Sequence, residues 1–259
     1  MNDVLAQLLT VGQTGFAIGF LVFLRIGAAM AVMPAFGERS IPQRLRLMLA
    51  LAFTVIVAPA VSDKIAPLAV QGTALVLMLL GEVVAGLALG IALRLFVLAL
   101  QIAGSIAAQS TSLSQIFGTI ALEPLPAIGH VMVISGLALA VMTGLHVRVA
   151  EALIGSYNVF PPGQIPTPSV IADWGLSRVA QAFSLAFTLA APFVIASFIY
   201  NLALGVINKA MPQLMVAFVG APAITAGGLI LLFLSLPVLL SVWSDELQRF
   251  LANPYGGGG

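Results

Sequence analysis

Cysteine is absent from this 259-residue chain, and charge is scarce: only 7% of residues are Asp, Glu, Lys or Arg, against 61% hydrophobic. Without cysteine there is no disulfide, no thiolate catalysis and no cysteine-based metal site. An ordinary soluble domain carries about 25% charged residues. Ten basic and nine acidic residues would leave the surface of a 26.8 kDa globule poorly solvated. The formal net charge of +1 offers no clustered basic face, so nucleic acid is not an expected partner. Histidine is nearly missing too. His130 and His146 sit at opposite ends of one apolar run. On a single helix they would lie about 24 Å apart, too far to share a metal, so each reads as an interfacial residue. A Walker loop, an HExxH pair and a strand–GxGxxG–helix unit are all missing from the sequence. No cofactor, no metal and no enzymatic activity are expected.

What is there is oil, with a mean hydropathy of +1.13. The chain belongs in or against a lipid bilayer. Its start, MNDVLAQLLT, has an Asp and no Lys or Arg before the first apolar run, unlike a signal peptide. The apolar blocks run 11–33, 47–61, 68–108, 129–145, 179–206 and 210–243. The second ends at Ser62-Asp63-Lys64, and Asn208-Lys209 parts the last two. A spanning helix needs about 20 apolar residues, so the blocks predict an all-α membrane protein of about six to seven helices. Pro and Gly inside several blocks predict kinked or broken helices. Continuous rather than alternating runs exclude a strand barrel. The second block is short for a span and the third long; helical hairpins packed inside an assembly would tolerate both. The segment 159–170, VFPPGQIPTPSV, reads as a loop. Pro34 to Arg46 holds Glu38, Arg39, Arg44 and Arg46, an excess of positive charge that favours the cytoplasmic side. Trp174, Trp243 and Tyr157 read as interfacial anchors. Residues 1–253 read as a single helical domain and 254–259 as a flexible tail or linker.

Three charges stand inside apolar runs: Arg25, Glu82 and Arg94. An unpaired charge there costs at least ~2.5 kcal/mol. Glu82 and Arg94, twelve residues apart, would be separated by about 18 Å along one helix. Each therefore needs a partner on another helix or chain, or water. An interhelical structural pair, a snorkelling end residue and a proton relay are the three readings, and a relay usually brings several acids together. Gly86 and Gly90 form a GxxxG spacing, widened by Gly81, Ala85 and Ala88, that lets two helices approach closely.

Polar residues cluster in one further place, QSTSLSQIFGTIALEPLPAIG, from Gln109 to Gly129, which has no Lys or Arg and a single charge at Glu123. By composition it is a solvent-facing loop between helices.

Three longer segments carry a family resemblance. RIGAAMAVMPAFGERSIPQRLRLMLALA (25–52) resembles the first signature of the flagellar biosynthetic protein FliR family, with Pro34, Phe36, Gly37 and Pro42 at its turn. GEVVAGLALG and QIAGSIAAQ (81–109) resemble the second, with Gly104; NLALGVINKAMPQLMVAFVGAP (201–222) resembles the third, with Asn201, Gly205, Pro212, Gln213 and Gly220. The resemblance covers nearly the whole chain. Two positions depart from it: Thr111, where members commonly have Gly, and Lys209, more often Arg.

The resemblance implies a non-enzymatic subunit of the type III secretion export gate in the bacterial inner membrane, at the flagellar basal body. It implies assembly with FliP and FliQ, and contact with FlhB and FlhA, in a hetero-oligomeric helical ring that passes unfolded export substrates. It also implies a FliP-like N-terminal part and a FliQ-like C-terminal hairpin. In such a gate Gln109, Ser110, Thr111, Ser112, Leu113, Ser114, Gln115, Ile116 and Phe117 would form a pore plug. Small uncharged polar groups there avoid binding a passing chain tightly, and Leu113, Ile116 and Phe117 exclude water. Two other readings stand beside this one: the related injectisome gate subunit, and a secondary transporter coupled through Glu82 and Arg94, although no internal repeat of the transporter kind is evident.

Overall fold

The structure is a computed structural model that describes residues 2–37, 41–69, 75–111, 127–211 and 216–256. Among these residues the chain is helical and has no strand. Seven helices follow one another: α1 (Asn2–Val32), α2 (Gln43–Ala69), α3 (Leu75–Thr111), α4 (Ala127–Met142), α5 (Leu145–Val159), α6 (Pro168–Ala210) and α7 (Val216–Ala252). Five of them, α1, α2, α3, α6 and α7, are long and apolar enough to cross a membrane, and α4 with α5 forms a sixth candidate span that is sharply broken.

The helix ends follow from local chemistry. The carbonyl of Pro42 accepts the N–H groups of Leu45 and Arg46 at 3.0 and 3.2 Å and opens α2. Thr167 precedes α6, and its carbonyl accepts the N–H of Ile171. Pro168 follows at the first helical position, where a missing N–H costs nothing. Between α4 and α5, Gly144 adopts the left-handed conformation (φ 85°), which glycine reaches without a Cβ clash. The two helices bend there by 73°. His130 and His146 consequently do not share one straight helix.

Two block boundaries differ from those expected. Helix α2 does not stop at Ser62-Asp63-Lys64 but continues to Ala69. The reason is visible in its spacing: Val57, Val61 and Ile65 are buried one turn apart, so the apolar face runs through the charges while Asp63 and Lys64 point outwards. The block is thus 27 residues long, and its shortness disappears. Helix α6 likewise begins at Pro168, eleven positions before the apolar block does.

The chain forms two compact units, one made of residues 1–95, 141–178 and 247–259, the other of 96–140 and 179–246. In the first, α1 and the N-terminal part of α3 pack together around Leu21, Val22, Ile26, Ala29, Met30, Ala85 and Leu89, all buried. Where a free tail is expected from the sequence, residues 253–256 are held. Asn253 donates its N–H to the carbonyls of Arg249 and Phe250, and the carbonyls of Pro254 and Gly256 accept bonds from α6. In the second unit, α3 and α4 touch at Gly104 and Gly129. A Cβ on Gly104 would lie 2.2 Å from the Gly129 Cα, closer than any side chain allows. Trp243 of α7 is fully buried there, and its indole N–H donates to the Phe96 carbonyl at 2.9 Å. It is a core residue rather than the interfacial anchor expected from composition, because its one polar atom finds a backbone partner inside.

Candidate functional site

Arg25 lies in the last third of α1 and Glu82 near the start of α3, each only 1% exposed. They form a two-pronged ion pair. The Arg25 Nε donates to Glu82 Oε2 at 2.7 Å, and Nη2 donates to Oε1 at 3.0 Å. The planar guanidinium matches the carboxylate fork, which a lysine could not do. Two more bonds bring the arginine's donated bonds to four of its five N–H groups. Nη1 donates to Ser156 Oγ at 2.9 Å, and Nη2 donates to the carbonyl of Phe160, also at 2.9 Å. Tyr157 closes the cluster: its hydroxyl donates to Glu82 Oε2 at 3.1 Å, and the Arg25 guanidinium lies 3.6 Å over its ring. Ser156 in turn donates to the Leu153 carbonyl.

The partner that the buried acid needs is thus Arg25 on α1. Arg94 stands three turns further along α3 and is half-buried. Ser156, Tyr157 and Phe160 were not singled out from the sequence as site residues. Tyr157, read there as an interfacial anchor, is 2% exposed and belongs to the core of the cluster. Its signal was the polar run Ser156-Tyr157-Asn158 at the end of α5, just before the prolines. Nothing in a local window ties that run to residues 75 and 131 positions away.

Close helix approach is what brings the pair together. A Cβ on Gly86 would sit 2.1 Å from the Arg25 carbonyl oxygen, and one on Gly90 would sit 2.5 Å from the Ala29 carbonyl and 2.6 Å from a Val32 methyl. The GxxxG face of α3 therefore rests on the backbone of α1, one turn beyond Glu82. Gly81 meets the carbonyl of Gln164 in the same way, at 2.8 Å, which holds the proline-rich segment against α3.

The turn between α1 and α2 contains Pro34, buried, and Phe36, whose ring meets Phe53 edge-on at 5.9 Å. Ala35 takes a positive φ of 65°, and the N–H of Gly37 donates to the Met33 carbonyl at 2.7 Å. A side chain on Gly37 would strike three carbonyl oxygens, of Met30, Ala31 and Met33, within 2.9 Å. Pro42 is exposed and opens α2. In the second unit Asn201 bonds back to the Ser197 carbonyl, Gly205 faces open space, and the Gly220 carbonyl accepts the Tyr200 hydroxyl at 2.7 Å. Pro212 and Gln213 lie outside the described residues.

Of the polar stretch, only its root is described. Gln109 is exposed at the end of α3. Ser110 donates to the Ile106 carbonyl at 2.8 Å and Thr111 to the Ala107 carbonyl at 3.0 Å, so both hydroxyls are spent on their own helix. Thr111 also packs onto Gly228 of α7, where an added Cβ would come within 2.4 Å of its methyl group. Ser112, Leu113, Ser114, Gln115, Ile116 and Phe117 lie outside the described residues. Among the described residues no group of three or more His, Cys, Asp or Glu side chains is placed to hold a metal ion.

The chain matches the family described as bacterial export proteins, family 1, over residues 16–250. It is 36% identical over 239 residues to the flagellar biosynthetic protein FliR of Caulobacter vibrioides, covering 90% of this chain and 94% of that protein. The protein of the same name from Aquifex aeolicus is 30% identical over 247 residues, covering 89% of each chain. That of Escherichia coli is 27% identical over 226 residues, covering 85% of this chain and 84% of its own length. With the buried cluster and the glycine contacts between helices all inside the matched region, this chain belongs to the bacterial export proteins, family 1.

Proposed function

We propose that this chain is a subunit of the export gate of the flagellar type III secretion system. In this reading it forms, with FliP and FliQ, the channel through which unfolded rod, hook and filament proteins leave the cytoplasm, with FlhB and FlhA as neighbouring partners in the inner membrane. The observation that carries the reading is the near full-length similarity to proteins named flagellar biosynthetic protein FliR. The exposed side chains agree with it. Helices α6 and α7 leave Phe187, Phe198, Leu202, Leu229, Phe233 and Val238 exposed, apolar surface that lipid or neighbouring gate subunits must cover. Residues 1–253 act in this proposal as one gate domain, with a FliP-like beginning and a FliQ-like end. Its role is positional rather than catalytic: Glu82 is bound by an arginine and a tyrosine, which suits a fixed strut better than a transporter's coupling acid. An injectisome gate would use the same architecture, and loss of motility on deletion separates the two systems.

The stretch 109–117 closes the resting pore in this reading, with Leu113, Ile116 and Phe117 as an apolar stopper that resists wetting without fixed charge. Deleting Ser110 to Phe117 should leave the co-expressed complex with FliP and FliQ assembled but leaky to ions and small molecules, with some export retained. An unchanged leak in an intact complex makes the stretch a connecting loop; failure to co-purify with FliP and FliQ overturns the gate assignment itself.

A further inference from the structure

Residues 253–256 read Asn-Pro-Tyr-Gly. Asn at the first place, Pro at the second and Gly at the fourth suit the commonest β-turn. The turn is formed: the Gly256 N–H donates to the Asn253 carbonyl at 3.3 Å and to its side-chain oxygen at 3.0 Å. It is also held from outside. From the start of α6, the Trp174 indole N–H donates to the Pro254 carbonyl at 3.0 Å, and Arg178 Nη2 donates to the Gly256 carbonyl at 2.8 Å. The Arg178 guanidinium lies near the rings of Trp174 and Phe250, at 5.9 and 5.6 Å. Between these anchors the Tyr255 ring meets Phe160 edge-on at 4.9 Å and Trp174 at 5.8 Å.

Phe160 links this turn to the buried cluster. Its ring packs on Tyr255, its N–H donates to the Ser156 carbonyl at 2.8 Å, and its own carbonyl accepts from Arg25. Two prolines follow it, so the next two positions have no N–H with which to fix the backbone. Side-chain packing at Phe160 is therefore one of the contacts that set the orientation of its carbonyl, beside its N–H bond to Ser156 and the restriction from Pro161. We propose that the Asn253–Gly256 turn is a clasp that, through Tyr255 and Phe160, holds the Phe160 carbonyl against Arg25 and so positions the Arg25–Glu82 pair. The residues involved are positioning residues for that pair, and the proposal does not depend on what the chain transports.

The test is hydrogen–deuterium exchange on the full chain as purified from membranes, with any partners that co-purify. Tyr255→Ala should raise exchange over residues 156–165 by about tenfold, as a local opening does, while α4 in the other unit stays as in the parent chain. Tyr255→Phe keeps the ring and should restore the parent rate. Trp174→Phe removes the bond to the Pro254 carbonyl and shrinks the ring that meets Tyr255 and Arg178; it should give an intermediate rise, and it decides the matter by the same readout should Tyr255→Ala fail to fold. Two results overturn the clasp: opening confined to residues 249–256 with 156–165 unchanged, or a Tyr255→Phe chain as open as Tyr255→Ala.

Discussion

The two units of the molecule solve one problem in different ways. Each must hold long apolar helices against each other where no hydrophobic effect distinguishes a neighbouring helix from lipid. The first unit combines a glycine face, Gly86 and Gly90 of α3 resting against α1, with a buried polar cluster joining α1, α3 and α5. The second, at its α3–α4 contact, has the bare approach of Gly104 to Gly129 and the burial of Trp243. Small residues set only how near two helices come. The Arg25 fork adds direction: its four donated bonds can all be made in one register and rotation, so a slip of one residue would strand a charge.

The largest effect should come from removing that direction. Arg25→Ala leaves Glu82 buried and uncompensated, a loss of about 3–5 kcal/mol. The expected outcome is a chain that is degraded or melts far below the parent, measured by thermal unfolding in detergent. Arg25→Lys, which keeps the charge but not the fork, should fall between the two.

Next is the glycine face. Gly90→Leu drives a side chain into the Ala29 carbonyl and Val32. It should block assembly with partner subunits more than it lowers expression; recovery of a normal complex would show that α1 and α3 can separate without consequence.

A smaller effect is expected from Glu82→Gln. The amide fills nearly the same volume and its oxygen can still accept from Arg25 and Tyr157; its NH2 loses the second Arg25 prong and Arg25 loses its counter-charge, so the complex should be less stable to heat yet assemble and keep most export. An assembled complex that has lost export would instead make the carboxylate a proton-linked group.

The smallest change runs the other way. Gly155 in α5 has open space where a Cβ would go. Gly155→Ala should therefore stabilise the helix by about 0.5–1 kcal/mol, read as a slightly higher melting temperature. A loss on that substitution would indicate a neighbour packed there in the membrane.

Much was determined by the sequence alone. Continuous apolar runs forced membrane-length helices, because a backbone in lipid must bond to itself. The isolated charges at Arg25 and Glu82 required partners, and the Gly86–Gly90 spacing provided a face for close approach. Asn-Pro-Tyr-Gly carried its own turn, although the sequence suggested only a loose tail. Tertiary structure decided what meets what. Arg25 rather than Arg94 reaches Glu82, because pairing is set by which helices cross and not by distance along one helix. Val61 and Ile65 carried α2 past its charged triplet, since a buried face outweighs three residues that can point to solvent. Tyr157 and Trp243 went inside once a carboxylate and a backbone carbonyl were there to accept their hydrogens. An isolated window shows that such a polar atom exists; only the packed helices supply its partner.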